Sequence, residues 1–204
     1  MIVVVTGPSA AGKTTWCQRL FPDDTVPECP PPPGQPSGID PAETAAFWCE
    51  HDTRRWRHAV RREAAGGFAI CDDDPMKLHY SWSMARLGAL PPGHWRHEVD
   101  ARREAMAAGR LGLADLFLVS VPSAVELRRR RDADPTRRRR NFDLHVRLAE
   151  PLREWYHAVE RADPDRVRWQ LPPEGLPADL PPPRADRCDP LLLDAVIAGL
   201  PQLD

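Results

Sequence analysis

Gly7-Pro8-Ser9-Ala10-Ala11-Gly12-Lys13-Thr14 fits the spacing G-x-x-x-x-G-K-[ST]. The glycines let the backbone curl until several N–H groups face one anion. A helix opening at Lys13 adds the positive end of its dipole at the same point. In that setting Lys13 reaches the β and γ phosphates of a nucleotide, and the Thr14 hydroxyl is placed to ligate Mg²⁺. Thr15 carries the loop into the helix. The apolar run at residues 2–5 precedes the loop, which supplies the strand–loop–helix context the motif requires. Lys13 and Lys77 are the only lysines in the sequence, so an ammonium inside the glycine loop stands out against an otherwise Arg-rich chain.

Carboxylates beyond strand ends are the next candidates, because ligands of open α/β sheets bind there. Asp72-Asp73-Asp74 ends the apolar run Phe68-Ala69-Ile70-Cys71. Asp72 follows the strand directly and is the candidate for the metal side, while Asp73 competes for the same role. Asp74, before Pro75, reads as part of an acidic turn that caps the next helix. Glu28 ends a short second strand over residues 25–28, where a carboxylate can take the proton of an attacking hydroxyl. Arg128-Arg129-Arg130-Arg131 and Arg137-Arg138-Arg139-Arg140 flank a short loop. Guanidinium groups stabilise the charge on a phosphoryl group in transit, and a mobile loop can carry them over it. Arg128 is the expected catalytic member, with Arg131 beside it on the nucleotide. On the acceptor side, Phe47, Trp48, His51, Arg54 and Arg55 share one helix, where an aromatic and basic face suits a planar ring or an anion. Trp48 and Arg55 are the chosen contacts there.

These residues need a scaffold of alternating strands and helices. Strands are expected at residues 2–5, 25–28, 68–71, 116–121 and 167–171. Helices are expected over Lys13–Leu20, from the capping box Asp40-Pro41-Ala42-Glu43 to about Ala65, and over 80–90 and 95–110. A second capping box, Ser123-Ala124-Val125-Glu126, opens the first arginine run. Leu144, Leu148, Leu152, Trp155 and Val159 mark one apolar helix face, with a kink at Pro151. Residues 30–33 and 172–189 read as proline-rich loops, and 190–200 as a closing helix. The pattern predicts one domain over 204 residues with a mainly parallel sheet covered on both faces.

The formal charge of -2 gives no global basic field for nucleic acid. Five cysteines without a Cys-x-x-Cys pair point to a reducing compartment. No leader is read ahead of the glycine loop, and no apolar stretch reaches the roughly 20 residues of a membrane span. A cytoplasmic protein is expected, with no membrane and no nucleic acid partner. Its partner is a small-molecule acceptor, and a homodimer is compatible with the sequence.

Taken together, the chain resembles the small P-loop kinases, above all the deoxynucleoside and thymidylate kinase group. Gly12-Lys13-Thr14-Thr15 looks like their loop, and Glu28-Cys29-Pro30 like the Glu-Pro element that carries their general base. Ile70-Cys71-Asp72-Asp73 takes the place of their hydrophobic–Glu-Arg-Ser element. The segment 114–131 is similar to their strand, capped helix and Arg-rich lid (here about residues 128–141), and 148–155 to the helix after it. The resemblance spans most of residues 1–171. It implies a three-layer sandwich around a five-stranded parallel sheet, Mg²⁺ and ATP as donor, a closing lid, and Glu28 or Asp72 as base. Asp73 stands where those kinases carry an arginine, which favours a cationic or polyhydroxylated acceptor over a standard deoxynucleoside. The leading expectation is a kinase of a small hydroxylated molecule, nucleoside-like or a specialised metabolite. A nucleoside monophosphate kinase is the alternative, with Arg54 or Arg55 on the acceptor phosphate. A nucleotide-binding regulatory protein ranks third, because no Asn-Lys-x-Asp occurs.

Overall fold

The computed structural model describes residues 1–30, 33, 40–91, 93–134 and 141–203. Five strands form one sheet: β1 (Ile2–Thr6), β2 (Thr25–Val26), β3 (Ala69–Asp72), β4 (Leu116–Val119) and β5 (Val167–Arg168). Their order is β2-β3-β1-β4-β5, and every pairing is parallel. β1 is central because its β-branched run is buried on both faces, as parallel sheets require. Ile2 and Val4 pack into one apolar cluster, Val3 and Val5 into another. That alternation follows from the period of two along a strand.

One face of the sheet meets α1 (Lys13–Leu20) through Trp16 and Cys17. The other meets α2 (Pro41–Gly66), α3 (Leu78–Arg86), α4 (His94–Ala107) and α7 (Ala149–Ala162), with α8 (Pro190–Ala198) behind them. The strands at residues 25–28, 116–121 and 167–171 are shorter than the sequence suggested. Helix α2 keeps its signals: the Asp40 side chain accepts from Ala42 N at 2.8 Å, and Gly67 closes the helix at φ 83°. Asp189 caps α8 in the same way, accepting from Leu191 N at 2.9 Å.

The expected long helix after Phe142 is two, α6 (Phe142–Arg147) and α7, which meet at Leu148. Pro151 has no N–H for the Arg147 carbonyl, so the break falls at the turn before the proline rather than at it. The segment 172–189 is held by charge. Buried Asp115 accepts from Arg184 N at 2.8 Å and from Arg187 Nε at 2.7 Å, and Arg166 binds Asp186 at 2.8 Å. Among the described residues, no helix is long and apolar enough to cross a membrane.

The chain leaves β1 toward one sheet edge and leaves β3 toward the other, so the carboxyl ends of these neighbours open a crevice. Gly7, Glu28, Asp73 and Ser120, from the ends of four strands, line one cavity there.

Candidate functional site

The glycine loop bridges β1 and α1. Gly7 passes so close to β4 that a Cβ on it would stand 2.1 Å from the Ser120 carbonyl oxygen. Ala11 N donates to Pro8 O at 3.1 Å, which closes a tight turn, and Ala10 sits at φ 68°. Gly12 precedes α1 at φ 95° with no side-chain cap. The first amides of α1 therefore have neither an intrahelical acceptor nor a capping side chain. The Lys13 ammonium lies across the loop, 2.6 Å from Gly7 O and 3.3 Å from Pro8 O.

Residues 7–15 form one wall of a cavity of about 1410 Å³. Arg19, Ser120, Arg130 and residues 169–171 and 173 also line it. Trp16 Nε1 binds Pro172 O at 2.7 Å and Arg19 binds Pro173 O at 2.9 Å, which ties the C-terminal segment to α1. The segment beside the loop thus begins at Trp169, ahead of the proline-rich stretch. The lining also includes Glu28, Trp48, Asp52, Asp73, Lys77 and Glu98.

The two adjacent acids turn apart. Asp72 pairs with Val5 in the sheet register and does not line the cavity. Its carboxyl is buried, and Oδ1 has no hydrogen-bond partner. Burial pushes its pKa up, assisted by Asp73 and Glu28, while the Thr14 hydroxyl and Lys13 pull it down. Asp72 thus lies within the field of Lys13 and Thr14. Asp73 adopts φ 74°, which swings it to the cavity side. It accepts from Thr6 Oγ1 at 3.0 Å and from Lys77 Nζ at 2.5 Å. Burial opposes its ionisation, but Lys77, Lys13 and His79 prevail and hold it well below the usual carboxylate range. Lys77 also donates to Glu28 at 2.6 Å. Burial disfavours the Lys77 ammonium, yet Asp73 and Glu28 overcome this and raise its pKa. Asp74 accepts from Met76 N at 3.0 Å and from Tyr156 at 3.2 Å; it closes the turn ahead of α3 and does not cap that helix, whose N-cap is Lys77 with no side-chain bond.

Helix α5 (Ala124–Asp132) is capped by Ser123, which accepts from Glu126 N at 3.2 Å. Leu127 anchors it against Ala11 and Phe142. Arg130, one turn on, falls on the same face: it donates to Ala11 O at 2.8 Å and to Glu126 at 2.6 Å. Arg128, the arginine expected to act, is exposed and does not line the cavity. Position 128 is about 100° around the helix from the buried Leu127, so its side chain is carried off the anchored face. Arg131 stacks over Phe142 at 4.6 Å and pairs with Asp132. Arg137-Arg138-Arg139-Arg140 lie outside the described residues.

On the acceptor side, Trp48 lines the cavity and packs edge-on against Phe47 and His51. Arg55 does not line it. Its guanidinium is buried and donates to the carbonyls of Pro27 (3.1 Å), Asp72 and Asp73 (2.8 Å). It fastens together the exits of β2 and β3, so the expected substrate contact is a structural clamp. Arg54 is exposed and paired with Glu50.

The sequence reading missed the cavity floor. Arg102 of α4 is buried, donating to Asp52 of α2 at 2.6 Å and to Glu98. Glu98 also meets His94 Nε2 at 3.2 Å and Ser81 Oγ at 3.3 Å. Burial pushes the Asp52 carboxyl up to about 7 against the pull of Arg102. Asp52 and Arg102 are 50 positions apart, so spacing could not pair them. The Glu98 to Arg102 spacing of four was the available signal. No group of three or more His, Cys, Asp or Glu side chains among the described residues is arranged to hold a metal. No protein family and no curated protein matches the sequence.

Proposed function

We propose that this chain is a P-loop phosphotransferase that moves the γ-phosphoryl group of ATP to a hydroxyl of a small molecule. The observation that carries the reading is the loop of residues 7–14. It has an uncapped helix start, an ammonium at its mouth and a carboxyl beneath it with one oxygen unsatisfied. Those residues fit a magnesium nucleotide. Thr14 and Asp72 would hold Mg²⁺, and the first amides of α1 with Lys13 would bind the phosphates. The bound magnesium nucleotide would supply the phosphoryl group and neutralise its charge.

The remaining work falls to side chains. Glu28 is the proton acceptor for the attacking hydroxyl. Asp73 is the weaker base, because Lys77, Lys13 and His79 hold it ionised against its burial. Lys77 fixes Glu28 and Asp73 relative to each other beyond the carboxyl ends of the paired strands β2 and β3. Arg130 approaches the loop from the lid side and is the described arginine best placed to meet charge on the transferred group. Trp48 offers a face for the acceptor. The oxygen–phosphorus bond forms as the bond to the leaving ADP breaks, and the hydroxyl proton goes to the Glu28 carboxylate.

The test pairs binding with turnover. The purified protein should give a saturable signal on titration with a magnesium nucleotide. With γ-labelled ATP and panels of nucleosides, nucleoside monophosphates and amino sugars, it should label an acceptor. Lys13→Ala should cut transfer at least about 1,000-fold while its circular dichroism stays native. A wild-type protein without saturable nucleotide binding would overturn the reading.

A further inference from the structure

His145 of α6 also lines the cavity. Two contacts fix where it stands. On one side, α6 is seated on the phosphate loop. Phe142 is buried against Ala11 and Leu127, and Val146 packs on the same cluster with Ala10. His145 lies one turn on from Phe142, so a helix anchored to the loop carries it. On the other side, its ring lies 6.2 Å from the Tyr80 ring, centroid to centroid. Tyr80 N donates to Lys77 O at 3.0 Å in the first turn of α3, and the Lys77 ammonium holds Glu28 and Asp73. His145 is thus carried between the loop proposed to bind phosphates and the carboxylate proposed to take the proton.

The electrostatics agree with that placement. Burial, then Lys13 and Lys77, push the His145 pKa down, while Glu28 and Asp73 pull against them. The imidazole therefore feels both amines and both carboxylates of the reacting region, and it is uncharged at neutral pH. A neutral imidazole has one N–H donor and one acceptor nitrogen. Among the described residues the ring takes part in no hydrogen bond or ion pair. Two other histidines of the cavity differ: His79 lies 3.7 Å from Asp73, and His94 lies 3.2 Å from Glu98.

We propose that His145 is a further catalytic residue, whose ring N–H donates to an oxygen of the γ-phosphoryl group as that group passes from nucleotide to acceptor. This rests on the phosphotransferase reading of the loop. Charge on the transferring group spreads over its non-bridging oxygens, so a donor beside them stabilises it without competing for the proton of the hydroxyl. Arg130 serves the group from α5, and His145 serves it from α6. Leu127 of α5 and Phe142 of α6 meet on Ala11, so one loop residue positions both helices.

The experiment is calorimetric titration of the wild-type protein and His145→Ala with magnesium ADP and with magnesium β,γ-imido-ATP, which differ by the γ group. In His145→Ala the affinity for imido-ATP should fall about ten-fold, and that for ADP by less than about two-fold. A second arm uses the wild type alone. Diethyl pyrocarbonate acylates neutral histidine, and peptide mass spectrometry should find position 145 modified in the ADP complex and spared in the imido-ATP complex. That arm decides the matter even if the variant does not fold. The proposal is overturned if His145→Ala weakens both nucleotides alike or neither, or if imido-ATP protects position 145 no better than ADP. Saturable ADP binding without an effect specific to the γ group leaves the loop assignment standing while this proposal fails. Loss of all nucleotide binding in the wild type removes both.

Discussion

The phosphate-loop half of the cavity is written in nine consecutive residues, 7–15, whereas the acceptor half is gathered from α2, the turn before α3, and α4. On the proposed reading, backbone amides bind the nucleotide in the first, so the sequence must supply only glycines, one lysine and one hydroxyl at fixed spacing. The second is lined by buried side chains, and each needs a partner that only the folded chain delivers. The first half is therefore local and intolerant of change, the second distributed and open to variation.

The comparison breaks most sharply at Gly7. Gly7→Ala places a methyl group 2.1 Å from the Ser120 carbonyl oxygen, which must move. Nucleotide binding should vanish, and the fall in stability should reach about 2–4 kcal/mol in a urea titration. A single floor substitution with that dual effect would erase the distinction between the halves. Next in size, Glu28→Gln should lower the single-turnover rate about 100-fold with nucleotide affinity unchanged, while Asp72→Asn should raise the magnesium requirement. If Asp72→Asn alone slows chemistry, the proton acceptor belongs to Asp72. On α5, Arg130→Ala should cost about 10-fold or more in kcat, and Arg128→Ala less than about two-fold, measured side by side.

The smallest effect concerns Asp52. Its folded pKa of about 7 lies above the unfolded value near 3.8, so the folded protein holds the extra proton between them. The stability tied to that proton is complete below about pH 4 and lost as pH rises to about 7. The Tm of the wild type relative to Asp52→Asn should therefore fall by a few degrees from pH 4.5 to 7.5, then level off. A difference independent of pH would mean that Asp52 is ionised throughout.

The legible parts of the sequence were those with short-range causes. The β1 run, the caps at Asp40 and Ser123, the glycine end of α2 and the loop spacing all act within a few residues of where they are read. Arg130 was missed because Arg128 comes earlier in the helix, but Leu127 is the buried anchor and sets which arginine faces inward. Arg55 was misassigned because a helical face shows where a side chain starts and says nothing of the Pro27, Asp72 and Asp73 carbonyls that capture it. The floor was invisible for the same reason, since Asp52, Glu98 and Arg102 read as ordinary helical charges until α2 and α4 pack together.

Lys13 and Lys77 supply the only two side-chain amines in the sequence, and both stand in the one cavity. Chemistry that acylates amines therefore becomes a footprint of the site rather than of the surface. An N-hydroxysuccinimide ester read by peptide mass spectrometry would report each half separately, nucleotide shielding position 13 and acceptor shielding position 77.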